Sequence, residues 1–122
     1  MKTSNMLLAI GATMVFSACY WDKADQLYAV SACNTDSVTF SGTIKPILDN
    51  NCALSGCHDA TASGLVTLNN YNGAKTVALD GRMVGAINHA SGYSPMPKNQ
   101  PKLDDCTISK LTKWAAAGAP NN

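Results

Sequence analysis

Residues 52–58 (CALSGCH) constrain this chain more than any other segment, because they place two thiols and an imidazole within seven residues. Five cysteines occur in a chain of only 122 residues. A domain of this length buries little apolar surface, and small domains often need disulfides, a metal or another bound group for stability. We therefore expect Cys52, Cys57 and His58 to stabilise the domain through a disulfide, a bound metal or another bound group.

Three kinds of bond suit this segment. Cys52 and Cys57 can pair as a disulfide, or they can join His58 and His89 in a Cys2His2 zinc site. The adjacent Cys57 and His58 would be strained as ligands of one small tetrahedral ion, which weakens the case for zinc. The third is covalent haem attachment, which needs two thiols for the two vinyl groups and a histidine beside the second thiol, directed at the iron.

The spacing departs from the usual haem-attachment motif, C-x-x-C-H, because four residues separate Cys52 from Cys57. Ser55 and Gly56 can form a bulge that still lets Cys52 reach its vinyl group. The segment resembles the attachment motif of small bacterial envelope c-type cytochromes with this longer spacing, over about residues 38–122. The resemblance implies an all-α, class I cytochrome c-like domain around one haem c, bound through Cys52 and Cys57 with His58 as an iron ligand.

A second iron ligand is expected in residues 93–97 (YSPMP), where Met96 lies between two prolines. Pro97 favours an extended backbone at Met96, so this loop is stiff. Class I cytochromes c carry a comparable methionine–proline loop, and the resemblance implies that Met96 is the sixth ligand. His89, at the start of the same loop, is the alternative ligand.

Other residues near the expected haem have less specific roles. Leu65, Val66 and Leu68 are expected to pack on the porphyrin, with packing in the protein core as the alternative. Met83 lies in an apolar helical stripe and is expected in the core. The candidates for hydrogen bonds to the haem propionates are Tyr71, Arg82 and Tyr93.

Helical periodicity and capping residues predict an all-α domain with irregular connections. Pro46 is compatible with the first helix only near its first turn. Residues 89–102, which contain three prolines, are expected to form a loop. The predicted helices cover residues 39–50, 71–79, 81–88 and 103–117.

The ends of the first and last helices carry recognisable caps. Ser41 suits the start of the first helix, and Asp104 or Asp105 suits the start of the last. The resemblance to class I cytochromes c also implies that these two helices cross, with Phe40 and Trp114 near their contact.

Residues 1–18 are predicted to be a signal peptide. Residues 6–18 form an uncharged, mostly apolar run of 13 residues, whereas a membrane-spanning helix needs about 20. The small residues directly before Cys19 resemble the lipobox of bacterial lipoproteins, which implies acylation of Cys19. Cleavage without acylation is the alternative, because Phe16 replaces the usual aliphatic residue.

The predicted organisation beyond the signal peptide is a lipid-anchored tether, residues 19–37, followed by the cytochrome c-like domain, residues 38–122. Tyr20 follows Cys19 in place of the aspartate that retains lipoproteins at the inner membrane. The resemblance therefore implies the outer membrane, facing the periplasm or the surface, with a soluble periplasmic protein as the alternative.

Two cysteines remain after these assignments. With Cys19 acylated and with Cys52 and Cys57 attached to haem, Cys33 and Cys106 are expected to form a disulfide in the oxidising envelope. This bond would close a loop of roughly 70 residues and stabilise the fold by about 4 kcal/mol on the chain-entropy account.

Charge and motif content exclude several functions. Nine basic and eight acidic residues leave a net charge of +1, which does not provide the basic face that nucleic-acid binding needs. The chain contains no glutamate, and it shows no Ser-His-Asp set and no glycine-rich phosphate loop. We therefore expect no catalytic residues and no enzyme activity.

A haem held by histidine and methionine is six-coordinate, so its iron has no open position for a substrate. Methionine ligation raises the reduction potential relative to bis-histidine ligation. We therefore expect a carrier of single electrons that docks transiently with redox proteins through small interfaces. Two alternatives stay open: a non-redox envelope lipoprotein stabilised by disulfides or zinc, and a haem sensor or enzyme subunit with an open iron site.

Overall fold

Short helices form the regular structure of the protein, in a computed structural model that describes residues 33–61 and 66–122. These residues contain no strand, as the all-α expectation requires. The helical elements are a π-helical turn Phe40–Ile44, α1 Lys45–Asn51, α2 Tyr71–Leu79, α3 Arg82–Ile87 and α4 Asp105–Ala116. None of them is long and apolar enough to span a bilayer. The expected signal peptide (residues 1–18), Cys19 and Leu65 lie outside the described residues.

The π-helical turn leads directly into α1, and Pro46 explains why the turn is wide. The Ile44 N–H donates to the Thr39 carbonyl at 3.0 Å, a spacing of five residues. In an α-helix, a proline ring collides with the carbonyl four residues earlier, which for Pro46 belongs to Gly42. A π-helical turn is wider than an α-helical turn, so it moves the Gly42 carbonyl away from the Pro46 ring. Pro46 lies in the first turn of α1, directly after the wider turn.

Thr39 caps this first helical segment. Its backbone is extended, and its Oγ1 accepts the N–H of Gly42 at 3.1 Å. The expectation that Ser41 is the cap was wrong, because the helical turn already begins at Phe40. The Phe40 N–H donates to the side-chain Oδ1 of Asn122 at 2.7 Å, so the end of the sequence packs beside this helix start.

Aromatic rings join the first and last helical segments. The rings of Phe40 and Trp114 stack with centroids 5.6 Å apart, and the Tyr71 ring meets Phe40 edge-on at 5.1 Å. The expected contact between Phe40 and Trp114 is confirmed. Tyr71 donates to the Ala119 carbonyl and Trp114 to the Pro120 carbonyl, each at 2.9 Å. The largest fully buried side chains are Ile44, Leu48, Leu111 and Trp114.

The later helices follow the predicted pattern. α2 has the expected bounds, and Met83 in α3 is buried in the core, as expected. Asp104 caps α4 by accepting the Thr107 N–H at 2.9 Å and the Thr107 hydroxyl at 2.7 Å. The bond from the Thr107 hydroxyl and the other hydrogen bonds lower the pKa of the Asp104 carboxyl. Residues 89–102 have no regular secondary structure, as expected.

A disulfide joins Cys33 to Cys106, with their Cα atoms 5.3 Å apart. This confirms the predicted pairing. The segment that follows Cys33 lies against α4, where the Lys113 ammonium donates to the Thr35 hydroxyl at 3.3 Å and lies 3.8 Å from the Asp36 carboxylate. Residues 33–36 are therefore attached to the domain.

Removing this disulfide should lower stability substantially. The bond closes a loop with a sequence separation of 73 residues, and constraining a loop of that length in the unfolded chain is worth about 4 kcal/mol. We expect the double variant Cys33→Ser, Cys106→Ser to lose about this much free energy of unfolding, measured by urea denaturation without reductant.

The control for this prediction is chemical reduction. A thiol reductant should destabilise the native protein to a similar extent and leave the double variant unaffected. Equal urea midpoints for the oxidised native protein and the double variant would contradict the prediction.

Candidate haem-binding site

The segment between the two motif cysteines forms a closed turn. The Cys57 N–H donates to the Leu54 carbonyl at 2.9 Å, and Gly56 has a φ of 75°, a left-handed conformation that glycine adopts without strain. The His58 N–H then donates to the Cys52 carbonyl at 3.2 Å. The turn at Gly56 brings the main chain of His58 back beside Cys52.

The two thiols of this turn are free and have different surroundings. The Cys57 side chain is exposed, whereas Cys52 is half-buried and packs against the core. Burial, with a smaller effect from the neighbouring Cys57, raises the pKa of the Cys52 thiol to about 11. Cys52 is therefore a neutral thiol near pH 7.

This shift predicts a pH dependence for the protein without haem. Because the pKa of Cys52 rises from 9.0 to about 11 on folding, folding favours the neutral thiol. The resulting stabilisation is complete below pH 9 and disappears as the pH rises to about 11, with a total of about 3 kcal/mol. Urea unfolding at pH 8, 10 and 11 should show this decline.

The variant Cys52→Ala is the matched control for other groups that titrate at alkaline pH. This variant loses the packing of the Cys52 sulfur at every pH, but it has no thiol at this position to ionise. Its stability should therefore fall less steeply than that of the native sequence above pH 9. Parallel pH profiles for the two proteins would contradict the prediction.

Residues 66–68 hold His58 by its ring and by its main chain. The ring Nδ1 lies 2.9 Å from the Val66 carbonyl oxygen, and the Leu68 N–H donates to the His58 carbonyl at 2.8 Å. A carbonyl only accepts hydrogen bonds, so Nδ1 carries the proton. In the neutral ring, Nε2 then has a free lone pair, the usual arrangement of a metal-binding histidine.

Asp59 stabilises the same turn through hydrogen bonds, a role that was not predicted from the sequence. Its carboxylate accepts the Thr61 hydroxyl at 2.7 Å and the Thr61 N–H at 3.1 Å, and it also accepts the backbone N–H of Gly56. The hydroxyl bond is the main reason that the pKa of Asp59 is lowered. An aspartate two residues before a threonine is a turn-forming pattern that was visible in the sequence.

Met96 is fixed by both of its main-chain polar groups. Its N–H donates to the Ala86 carbonyl at 3.0 Å, and its carbonyl oxygen lies 3.1 Å from Nε2 of His89. The Met96 side chain is half-buried, and the Met96–Pro97 peptide bond is cis. His89 is exposed and uses Nε2 for this contact, so it lies beside the methionine loop.

The zinc arrangement considered above is not assembled. Within residues 33–61 and 66–122, no three side chains of histidine, cysteine, aspartate or glutamate converge as metal ligands. The structure thus brings Cys52, Cys57 and His58 together in one turn without adding His89 to them.

The candidate propionate contacts have other partners. Tyr71 donates to Ala119 in the core, and Arg82 forms an exposed ion pair with Asp80 at 2.8 Å. The ring of Tyr93 lies over Gly85, where an added Cβ would be 2.6 Å from it. These roles fit ordinary structural contacts.

An open cleft of about 330 Å³ adjoins the segment that holds His58. Gly73 is required beside it, because a Cβ there would lie 1.7 Å from the Thr67 carbonyl oxygen. Leu68 is buried in the protein core, whereas Val66 is half-buried and contributes to the cleft wall. The residues that line the cleft are Val66, Thr67, Asn70, Gly73, Thr76, Val77 and Arg82.

Comparison with protein-family models, with curated proteins and with solved structures finds no match to this chain. The functional argument therefore depends on the chemistry of the turn at residues 52–58 and of the Met96 loop. These residues fit covalent haem: an exposed thiol precedes a histidine whose Nδ1 is bonded to a carbonyl, so that Nε2 carries the lone pair of the neutral ring, and a second thiol lies on the same turn.

Proposed function

We propose that this protein is a monohaem c-type cytochrome that transfers single electrons between redox proteins of the bacterial cell envelope. The observation that carries the proposal is the orientation of His58. Its Nδ1 is bonded to the Val66 carbonyl, so that Nε2 carries the lone pair of the neutral ring, and the preceding residue, Cys57, has a free thiol. A plain disulfide turn has no need for an imidazole fixed in this way.

Four side chains would hold the haem. Cys52 and Cys57 would form thioethers with the vinyl groups, and His58 and Met96 would bind the iron. The haem supplies a one-electron couple, and two protein ligands would leave its iron without an open position. Methionine as a neutral thioether donor favours a higher reduction potential than a second histidine. These properties suit electron transfer and do not suit bond-making catalysis.

An envelope location is part of the proposal. The Cys33–Cys106 disulfide is typical of an oxidising compartment, such as the periplasm. We propose that Cys19 carries the lipid anchor and that the domain lies at the outer membrane. The soluble periplasmic form remains the alternative.

The experiment that tests the proposal is a reduced-minus-oxidised absorption spectrum of the exported protein, with acid extraction of the denatured chain. A c-type spectrum, retention of haem after extraction and a mass increase of one haem would support it. The matched control is the Cys33→Ser, Cys106→Ser variant. It should keep its haem because neither cysteine belongs to the turn at residues 52–58, which we call the attachment turn. Colourless protein from a host with working cytochrome maturation would overturn the proposal.

A further inference from the structure

The loop that carries Met96 folds back onto the end of α3. The carbonyl of Ala86 accepts the N–H of His89 at 3.1 Å and that of Met96 at 3.0 Å. The Tyr93 N–H donates to the Ala90 carbonyl at 3.2 Å, and the Tyr93 ring covers Gly85. The start and the end of this loop are thus bonded to the same turn of α3.

His89 closes the loop through its side chain. Nε2 lies 3.1 Å from the Met96 carbonyl oxygen, and an oxygen of this kind only accepts, so Nε2 carries a proton in this contact. The His89 backbone has a φ of 55°, a left-handed conformation in which histidine is enriched over most other residues. With the bond from Met96 to Ala86, both main-chain polar groups of Met96 have partners within this loop and α3.

We infer that His89 is a positioning residue that holds the main chain of Met96 so that its thioether stays directed at one place. This inference rests on the proposed function, in which Met96 binds the haem iron. Without the His89 bond, the Met96 carbonyl would lose this partner, and the bond from the Met96 N–H to the Ala86 carbonyl would remain. The exposed His89 therefore has a role distinct from that of an iron ligand.

The size of the effect follows from the strength of one hydrogen bond. A neutral intramolecular hydrogen bond contributes a factor of about five to the equilibrium that it governs. Loss of the His89 bond should therefore raise the fraction of protein with Met96 displaced by about fivefold. An external ligand that competes with Met96 for the iron should bind more tightly by the same factor.

The matched variants are His89→Gln and His89→Leu. Glutamine and leucine are both unbranched at Cβ, so the two variants carry similar backbone strain in the left-handed conformation of residue 89. Glutamine keeps a side-chain N–H of similar reach, whereas leucine has no donor. The variant His89→Gly, which relieves the strain and also lacks the donor, separates the two effects.

Two measurements on the haem-loaded protein test the inference. Imidazole titration followed by absorbance should show about fivefold tighter binding for His89→Leu and His89→Gly, with His89→Gln close to the native protein. Hydrogen exchange of the Met96 amide, which reports on the loop itself, should accelerate in the same two variants.

Several outcomes would overturn the inference. If His89→Leu kept the imidazole affinity and the Met96 amide exchange rate of the native protein, positioning by His89 would be refuted. The proposed function would still stand in that case if Met96→Ala opened the iron. Equal effects of glutamine and leucine would also refute positioning by His89, because the donor would then be irrelevant. If Met96→Ala did not alter imidazole binding, methionine ligation itself would fail, and the inference would fall with it.

Discussion

Cys57→Ser and His58→Ala are each expected to abolish stable haem attachment. A serine hydroxyl does not form a thioether with a vinyl group, and Cys57 is the exposed thiol of the attachment turn. Alanine at position 58 removes the imidazole and also its bond to the Val66 carbonyl. Haem staining after denaturing electrophoresis, with absorbance normalised to protein, should show almost complete loss of the holoprotein.

Two controls make this prediction specific. His89→Gln changes the other histidine of the sequence and should keep the haem. Cys52→Ser should keep haem through a single thioether, because Cys57 and His58 remain intact and Cys52 is the half-buried thiol with the raised pKa. Native yields of holoprotein from Cys57→Ser or from His58→Ala would contradict the proposed attachment.

Met96→Ala is expected to open the iron while the haem stays attached. The weak long-wavelength sulfur-to-iron band of the oxidised protein should disappear, and the reduction potential should fall because the thioether ligand is lost. Cyanide and carbon monoxide should then bind at the position that we propose Met96 to occupy in the native protein. We expect cyanide affinity to rise by roughly tenfold or more, which corresponds to about 1.4 kcal/mol.

Met83→Leu is the matched control for Met96→Ala. Met83 is 5% exposed and belongs to the core, and a methionine-to-leucine change in a core costs less than about 1.5 kcal/mol. The sulfur band should therefore survive. Loss of the band in Met83→Leu, with its retention in Met96→Ala, would assign the ligand to Met83.

Further outcomes of these spectra would separate the alternatives. If His89→Gln opened the iron and Met96→Ala did not, the ligation would be bis-histidine and the carrier would belong in a lower-potential chain. Avid binding of carbon monoxide by the native protein would favour a haem sensor or an enzyme subunit.

The helices were largely predictable because their apolar spacing and caps are local. Ile108, Leu111 and Trp114 lie at helical spacing and are the buried residues of α4. The sequence offered Asp104 or Asp105 as its cap, and Asp104 is the cap in the structure. The cap of the first helix was misassigned because Thr39 and Ser41 both suit a cap, and only the hydrogen bond to Gly42 distinguishes them. The π-helical turn was not predicted, since it depends on how the chain accommodates a proline several residues later.

The candidate site was only partly predictable for a related reason. The identities of Cys52, Cys57 and His58 indicate haem chemistry, because side chains carry that chemistry. The partner of the His58 ring is a main-chain carbonyl, and the bond from His89 to Met96 also ends on the main chain. Every residue has a carbonyl, so sequence patterns do not show which one a histidine will reach.

The Cys33–Cys106 bond also determines how mechanical force enters the domain. Tension on the chain before Cys33 passes through the two sulfur atoms to α4, and the contacts of Lys113 with Thr35 and Asp36 share part of it. The chain between Asp36 and Cys52 therefore lies inside a covalent loop and outside the path of the force. A pull from the N-terminal side would be borne by the longest described helix, and the spacing of Cys52, Cys57 and His58 would be shielded from it.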